Sequence, residues 1–254
     1  MTLTDTPLVS VILVTYNSAQ YVTDTLNSIK AQTWKNIELI ITDDASRDNT
    51  VQVCADWLVK NNDCFPSTKL FTVAQNTGIP SNCNRGLQSA KGEWIKIIGG
   101  DDILMENAIV DNLMYAKQFP DASFIISDVQ EIDESGVLNS KNITNDALIF
   151  FSNLPSVKRQ LKDYSRWPAF LNTPTFFYQR SVLEKIKYFD EEFKIYEDII
   201  TLIRVLENNI KLHYMRIPTV AYRIHQKGVS RNPLLDEIRE KESFQVFKKY
   251  RKPH

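Results

Sequence analysis

Hydrophobic positions in the first half of the chain follow two alternating periods. Residues 8–15 and 37–42 are apolar and rich in β-branched side chains, with no helical spacing, which is typical of strands buried on both faces of a parallel sheet. Between them, Val22, Leu26 and Ile29 recur at the spacing that gives a helix one apolar face. The pattern therefore predicts a strand, a helix and a second strand.

The same alternation continues as far as residue 127. Further strands are expected at residues 70–73, 94–98 and 124–127, and further helices at residues 51–58, 81–90 and 105–119. Strands that alternate with helices favour a parallel sheet covered by helices on its faces. The first half is therefore predicted to be an α/β unit.

The pattern loosens from residue 133 to about residue 167, where polar segments and turn residues are mixed. Helical spacing returns at residues 181–187 and 197–207, and strands are expected at residues 212–215 and 219–223. We divide the chain into two halves of one domain, residues 1–130 and 131–232, followed by a charged helix or tail, residues 233–254.

Composition narrows the function classes. Lys and Arg number 30 and Asp and Glu 31, so the net charge of −1 gives no electrostatic reason to expect nucleic acid as a partner. The three cysteines show no CxxC spacing, which indicates neither a zinc cluster nor a disulfide framework. The polar start argues against a signal peptide, and no apolar run approaches the roughly 20 residues that span a bilayer. We therefore expect a cytoplasmic protein.

Polar side chains collect where the predicted strands end. In an open parallel sheet, ligands bind beyond the carboxyl ends of the strands. A single aspartate at such a position is more simply explained as a helix cap. Three clusters at one edge instead indicate a site, and they comprise Thr15-Tyr16-Asn17, Asp43-Asp44 and Asp101-Asp102.

The adjacent carboxylates Asp101 and Asp102 follow a pair of glycines, Gly99 and Gly100. The sequence has neither a GxGxxG loop nor a GxxxxGK[ST] loop, which are the usual backbone cradles for phosphates. Another group must then neutralise a diphosphate. Paired carboxylates suit Mg²⁺ or Mn²⁺ bridging to phosphate oxygens, so the sequence predicts a divalent cation here.

The order and spacing of these motifs resemble family 2 glycosyltransferases of the GT-A fold. The resemblance spans residue 8 to about residue 230, nearly the whole chain. The motifs that carry it are Val9-Ser10-Val11-Ile12-Leu13-Val14-Thr15-Tyr16-Asn17, Ser28-Ile29 with Gln32-Thr33, residues 38–46, Asn76-Thr77-Gly78, Gly86, residues 90–95, Asp101-Asp102-Ile103-Leu104, Phe189-Asp190-Glu191, Glu197-Asp198 and Tyr222-Arg223-Ile224-His225.

The resemblance implies an inverting, metal-dependent transfer of a sugar from a nucleotide sugar, a UDP-sugar, to a hydroxyl of a glycan or lipid-linked glycan. It implies a Rossmann-like nucleotide-binding first half and an acceptor-binding second half. Asp44 would hydrogen-bond the uracil base. The donor residues would be Thr15, Tyr16, Asn17, Asp44, Asn76, Gly78, Arg85, Asp101 and Arg223. The ligands of Mn²⁺ or Mg²⁺ would be Asp101, Asp102 and His225.

The resemblance assigns the catalytic base to Asp198, with Glu197 beside it. The plainer interpretation is that both acids favour the helix dipole from the first turn of a helix. A carboxylate there could also accept the proton of an attacking hydroxyl, and spacing alone does not choose between the two acids. Trp167-Pro168 and residues 173–177 could stack an acceptor sugar or belong to the core.

The basic residues 248–252 could touch an anionic membrane at its inner face or form a solvated tail. Two other functions stay open. A nucleotidyltransferase would share the α/β layout, but its glycine-rich basic loop is absent from the N-terminal part. A noncatalytic carbohydrate-binding module is favoured by Gly99, which stands where the family often has an aspartate. The retained pairs Asp101-Asp102 and Glu197-Asp198 argue against it.

Overall fold

The computed structural model describes residues 6–143, 146–168, 173–226, 228 and 233–254. The strands are β1 Val9–Thr15, β2 Ile37–Asp43, β3 Ser67–Thr72, β4 Trp94–Gly99, β5 Ile103–Leu104, β6 Phe124–Ile132, β7 Leu138–Ile143, β8 Phe176–Gln179 and β9 His213–Arg223. The helices are α1 Val22–Lys30, α2 Thr50–Asn61, α3 Ile79–Ser89, α4 Ala108–Gln118, α5 Asp146–Ser152, α6 Val157–Arg166, α7 Arg180–Ile186, α8 Glu197–Glu207 and α9 Asp236–Val246.

Within these ranges, the strands join in one mixed sheet with the order β3-β2-β1-β4-β8-β6-β9-β5, and β7 pairs with β6. Strands β1 to β4 run parallel to one another, as the alternation of strands and helices predicts. Strand β8 is antiparallel to both β4 and β6, and β6 is parallel to β9. The short β8 therefore joins the parallel first half to the second half.

The two faces of the sheet carry separate cores. In β1, Val9, Val11 and Leu13 pack into one core and Ile12 into the other. Helices α1, α2 and α4 cover the first face, whereas α3 and the helices of the second half cover the opposite face. Because both faces are buried, these strands have the continuous apolar runs from which they were predicted.

Strand register brings the predicted polar clusters to one edge. Thr15 at the end of β1 lies opposite Asp43 at the end of β2, and Val14 lies opposite Gly99 at the end of β4. Since the three strands are parallel and adjacent, the loops that follow them start at the same edge. The expectation that these clusters share one edge is confirmed.

Residues 133–167, where the sequence pattern is loose, contain β7, α5 and α6. Helix α6 escapes recognition because its buried face includes polar residues, among them Gln160 and Tyr164. The Gln160 side chain accepts a hydrogen bond from the Leu212 backbone N–H at 3.1 Å and donates one to the Leu212 carbonyl at 3.0 Å. A polar side chain thus serves as a core contact to the start of β9.

The C-terminal segment, predicted as a charged helix or tail, forms a helix that is docked on the domain. Helix α9 is followed by a π-helical turn, Phe247–Arg251. The Arg251 guanidinium donates to the carbonyls of Ser165 and Arg166 at 2.8 and 3.0 Å, and the Lys249 ammonium pairs with Glu192 at 2.5 Å. None of the helices in the described ranges is long and apolar enough to cross a membrane.

At Gly92, the loop between α3 and β4 lies close to the backbone at the start of β1. A Cβ there would lie 2.5 Å from the Ser10 nitrogen and 2.9 Å from the Leu8 carbonyl oxygen. We expect Gly92→Ala to lower the free energy of unfolding by about 1–3 kcal/mol, because backbone atoms cannot yield as side chains do. Urea denaturation measures this loss in the free energy of unfolding. The matched control is Lys91→Ala at the exposed neighbour, expected to stay within about 0.5 kcal/mol, and equal midpoints for the two variants would contradict this.

Candidate active site

Asp44 follows β2 and fastens the loop that precedes α3. Its carboxylate is 2% exposed and accepts the backbone N–H groups of Thr77 and Gly78 at 2.9 and 2.8 Å, together with the Thr77 hydroxyl at 2.6 Å. Gly78 has φ +93°, a conformation that favours glycine. The Asn76 amide donates to the Asp44 carbonyl at 3.2 Å. Three of the predicted donor residues are thus brought together.

Arg85 extends from α3 to the same carboxylate. Its guanidinium donates to the Asn82 side-chain oxygen at 2.7 Å and to the Thr77 hydroxyl at 3.0 Å, and it lies 3.5 Å from the nearer Asp44 oxygen. The Arg85 side chain is 20% exposed. The structure therefore places Arg85 beside Asp44, with part of its guanidinium open to solvent.

The loop after β1 is tied to the loop after β2. Asn17 has φ 52°, its N–H donates to the Ser46 hydroxyl at 2.8 Å, and its side-chain oxygen accepts the Arg47 N–H at 2.8 Å. The Thr15 hydroxyl donates to Asp43 at 2.9 Å. Tyr16, between Thr15 and Asn17, is 45% exposed, so its ring is free to contact a ligand.

Asp101 and His225 come together from the ends of β4 and β9. The Nε2 atom of His225 lies 2.9 Å from an Asp101 carboxylate oxygen, and the imidazole packs against the Tyr21 ring with 5.0 Å between ring centroids. A Cβ on Gly99 would lie 2.7 Å from the other Asp101 oxygen. The carboxylate of Asp101 therefore occupies the space beside Gly99 that a side chain at that position would need.

Asp102 lies beneath this pair, with 2% of its surface exposed. Its carboxylate accepts the backbone N–H of Arg223 at 3.0 Å, and its carbonyl accepts the Thr25 hydroxyl at 2.7 Å. Burial raises the pKa of Asp102 well above the usual range for aspartate, and the neighbouring Asp101 carboxylate raises it further. Asp102 thus also joins the β4 loop to the end of β9.

Arg223, expected among the donor residues, faces the interior of the protein in this structure. The Arg223 side chain is 1% exposed, and its guanidinium donates to the carbonyls of Asp101 at 2.8 Å and Glu134 at 2.9 Å and pairs with Asp24 at 3.1 Å. The same group lies over the Tyr21 ring, 4.7 Å from its centroid. Its donors are occupied, so Arg223 supports the Asp101 loop from below.

The side chains of Asp101 and His225 fit a divalent cation. They offer one carboxylate and one imidazole nitrogen at the open end of the site, and the His225 Nδ1 atom is buried without a hydrogen-bond partner among the described residues. Among the residues that the structure describes, no group of three or more His, Cys, Asp or Glu side chains converges as a metal cluster. Mg²⁺ and related ions are often held by one or two carboxylates, with water and substrate phosphates completing the coordination, and this arrangement matches that pattern.

Glu197 and Asp198 form the first turn of α8 in different surroundings. Glu197 is 8% exposed, and burial, followed by the charge of Asp198, raises its pKa well above the usual range. Asp198 is partly exposed, and one of its oxygens accepts the Ile199 N–H at 2.6 Å. Burial raises the pKa of Asp198 to about 6. The structure thus distinguishes the two acids, because Asp198 is partly exposed whereas Glu197 is buried.

Helix α3 connects the Asp44 loop to the segment before α8. The sequence motifs do not reveal this connection. The Asn84 side chain exchanges hydrogen bonds with the backbone N–H and C=O of Phe189, both at 3.0 Å, and donates to Glu191 at 2.7 Å. The Ser81 hydroxyl donates to the other Glu191 oxygen at 2.8 Å. The sequence gives little signal for this role, since Asn84 lies between the motif residues Gly78 and Gly86 and belongs to neither motif.

Of the aromatic residues considered for acceptor stacking, Phe176 and Phe177 belong to β8 and are 1% and 0% exposed. They are core residues, and the functional interpretation of them is wrong. Trp167 is 79% exposed after the end of α6, where it can stack on a ligand. Burial therefore excludes the β8 aromatics from stacking on a ligand, whereas Trp167 is accessible.

Solved structures share this fold. S. aureus TarS 1–349 in complex with UDP matches with a TM-score of 0.67 and 21% identity over 86% of this chain and 61% of that one. The same protein in complex with UDP-GlcNAc matches with a TM-score of 0.71 and 18% identity over 94% and 66%. Mannosyltransferase PcManGT from Pyrobaculum calidifontis, in complex with GDP-Man and Mn²⁺, matches with a TM-score of 0.66 and 17% identity over 87% and 58%. The expected α/β fold of the GT-A type is confirmed.

Curated relatives lead to the same family. Glycosyltransferase GlyG of Streptococcus pneumoniae is 33% identical over 128 residues, which cover 50% of this chain and 41% of GlyG. Minor teichoic acid biosynthesis protein GgaB of Bacillus subtilis is 26% identical over 225 residues, which cover 87% of this chain and 23% of GgaB. The chain therefore spans less than half the length of these two relatives. The family model described as Glycosyl transferase family 2 matches residues 10–187, well over half of the chain, and the chain belongs to that family.

Proposed function

We propose that the protein is an inverting, metal-dependent glycosyltransferase that moves a sugar from a nucleotide sugar to an acceptor hydroxyl. The observation that carries the proposal is the convergence of Asp44 and the Asp101–His225 pair at one edge of a family 2 sheet. A nucleotide needs one group for its base and a cation site for its diphosphate. The two features supply them at the edge where such sheets bind ligands.

The donor is proposed to be a UDP-sugar, bound by Thr15, Tyr16, Asn17, Asp44, Asn76, Gly78, Arg85 and Asp101. A carboxylate has about four lone-pair positions, and Asp44 already accepts three short hydrogen bonds and the longer Arg85 contact. The N3–H of uracil would replace the Arg85 contact at 3.5 Å. Among the solved relatives, TarS is in complex with UDP and UDP-GlcNAc and PcManGT with GDP-Man.

The diphosphate is proposed to bind next to Asp101 and His225, with Asp102 supporting or completing the ligand set. Bound Mn²⁺ or Mg²⁺ would supply positive charge to the oxygens of the leaving group. The residues of the chain hold that position, since Arg223 fixes the Asp101 carbonyl and the Asp102 carboxylate fixes the Arg223 N–H. PcManGT is described in complex with Mn²⁺.

Transfer is proposed to be a single displacement. The acceptor oxygen bonds to the anomeric carbon as the bond from that carbon to the diphosphate oxygen breaks, and the nucleoside diphosphate leaves with the bonding electron pair. Asp198 takes the hydroxyl proton. Attack opposite the leaving group inverts the anomeric centre. Neutral Glu197 beside Asp198 keeps a second negative charge away from the base.

The acceptor is proposed to be a glycan or lipid-linked glycan, reached in the cytoplasm or at the inner face of a membrane. Lys249 and Arg251 are held against the domain, which leaves Lys248 and Lys252 among the exposed basic residues. The Lys248 ammonium lies over the exposed Phe244 ring at 4.2 Å. A peripheral contact would therefore use a smaller basic surface than the sequence indicates.

Removal of the cation tests the diphosphate site. We expect affinity for UDP, measured by calorimetry, to fall in excess chelator and to return with Mn²⁺, because the diphosphate needs a neutralising charge. Asp101→Asn and Asp102→Asn should weaken this metal-dependent binding. Asp56→Asn, an exposed acid of α2, is the matched control and should bind UDP as the wild type does. Undiminished UDP affinity in chelator would refute metal dependence.

The nucleobase is tested by comparing UDP with GDP. We expect the wild-type protein to bind UDP about tenfold more tightly or better, since a hydrogen bond to a charged group contributes about 1.5–3 kcal/mol. Asp44→Asn should reduce that preference, because an amide cannot offer the same acceptors. Calorimetry with both nucleotides at equal Mn²⁺ measures it. Equal or tighter binding of GDP by the wild-type protein would overturn the choice of uracil.

The base is tested by pH and by substitution. A carboxylate accepts a proton only when it is ionised, so kcat/KM should rise with pH through about 6, the pKa of Asp198, and then level off. Asp198→Asn should lower transfer by about 10² to 10⁴ fold and leave UDP binding nearly unchanged.

Glu197→Gln is the matched control for the base, because burial raises the pKa of Glu197 and favours its neutral form, so a neutral isostere should keep most of the transfer activity. If Asp198→Asn transfers sugar at nearly the wild-type rate, Asp198 is not the base. A loss confined to Glu197→Gln would move the role to that residue.

A further inference from the structure

The C-terminal helix α9 grips the chain segment that leads into α8. Glu242 of α9 is 6% exposed. One of its carboxylate oxygens accepts the Lys194 N–H at 2.8 Å, and the other accepts the Ile195 N–H at 3.0 Å. A single side chain thus holds two successive backbone groups of the segment.

This segment fixes where the proposed base lies. Tyr196 is the last residue before α8, and Glu197 and Asp198 begin the first turn of that helix. Because the two residues held by Glu242 come directly before Tyr196, the path of the main chain at Lys194 and Ile195 sets the start and direction of the helix. A change of path there would move the Asp198 carboxylate.

Further contacts from the C-terminus reach the same segment. Phe193 is 1% exposed and packs with Val246 and Tyr250, and its ring centroid lies 5.9 Å from that of Tyr250. The Tyr250 hydroxyl donates to Asp190. These contacts would dock α9 by themselves. The Glu242 carboxylate does something more specific, since it bonds to main-chain groups.

Chemistry also sets Glu242 apart from an ordinary packing residue. Burial of a carboxylate is costly unless hydrogen bonds compensate it, and an apolar side chain would pack α9 without that cost. The N–H groups of Lys194 and Ile195 explain why a carboxylate occupies this position. Hydrogen bonds to a charged acceptor are stronger than those to a neutral one.

We infer that Glu242 is a positioning residue for the transfer step, which holds residues 194–195 so that Asp198 faces the acceptor hydroxyl. The inference rests on the proposed function. It links the C-terminal helix to catalysis and not to donor binding, since Asp44, Asp101 and His225 are held by contacts of their own. Loss of the hydrogen bonds from Glu242 should therefore lower turnover and leave donor binding unchanged.

The test compares Glu242→Ala with Glu240→Ala, an exposed glutamate of the same helix. The activity measured is hydrolysis of the donor, in which water takes the place of the acceptor hydroxyl, and it is followed as UDP release with Mn²⁺ from whichever of UDP-glucose, UDP-galactose and UDP-N-acetylglucosamine the wild-type protein turns over fastest. We expect kcat to fall by about 10 to 10² fold in Glu242→Ala, because small displacements of catalytic groups are this costly. The KM for the donor and the affinity for UDP should stay at the wild-type values. Glu240→Ala should match the wild type, and Glu242→Gln, which keeps one acceptor oxygen, should recover part of the rate.

Hydrogen exchange gives a second measurement that does not depend on activity. The amides of Lys194 and Ile195 should exchange faster in Glu242→Ala than in Glu240→Ala. Unchanged exchange, or an unchanged kcat in a protein that binds UDP normally, would overturn the inference. A parallel loss of kcat and UDP binding in both Glu242 variants would also overturn it, because that result signals general unfolding. Absence of turnover in the wild-type protein would instead count against the proposed function.

Discussion

Buried carboxylates that accept main-chain N–H groups fasten the loops on which this site is built. Asp44 holds the start of α3, Asp102 holds the end of β9 at Arg223, and Glu242 holds the segment before α8. A loop without regular structure has few hydrogen bonds of its own, so a charged acceptor is an effective constraint on its path. Removal of such an acceptor would leave buried N–H groups unpaired, at about 1–3 kcal/mol for each.

The same constraint ties the donor site to the stability of the fold. Asp102 has a structural role besides its proposed role as a metal ligand, because its carboxylate accepts the Arg223 N–H and Arg223 in turn supports Asp101. Asp44 has two roles in the same way, because it holds the loop before α3 and is also proposed to bind the nucleobase. Substitutions at these two residues will therefore change structure and binding together, whereas Asp101 and His225 lie nearer the open end of the site.

The first half of the fold and the edge that carries the site could be predicted from the sequence, because both depend on short-range patterns. The apolar runs of β1 and β2 identify strands buried on both faces, and polar residues directly after them mark the strand ends. The position of β8 could not be predicted, since its pairing with β4 and β6 joins residues far apart in the chain. The internal role of Arg223 was hidden for the same reason, because Asp24 and Glu134 come from other elements.

Burial also divides the work of two adjacent acids that the sequence leaves equivalent. Glu197 is enclosed, and one of its oxygens has no hydrogen-bond partner among the described residues, so the neutral form is the stable one there. Asp198 is partly exposed and has the Ile199 N–H to stabilise its charge. Because burial favours the neutral form of Glu197, less repulsion opposes ionisation of Asp198. The single negative charge of the pair is therefore expected on the side chain that solvent, and hence an acceptor hydroxyl, can reach.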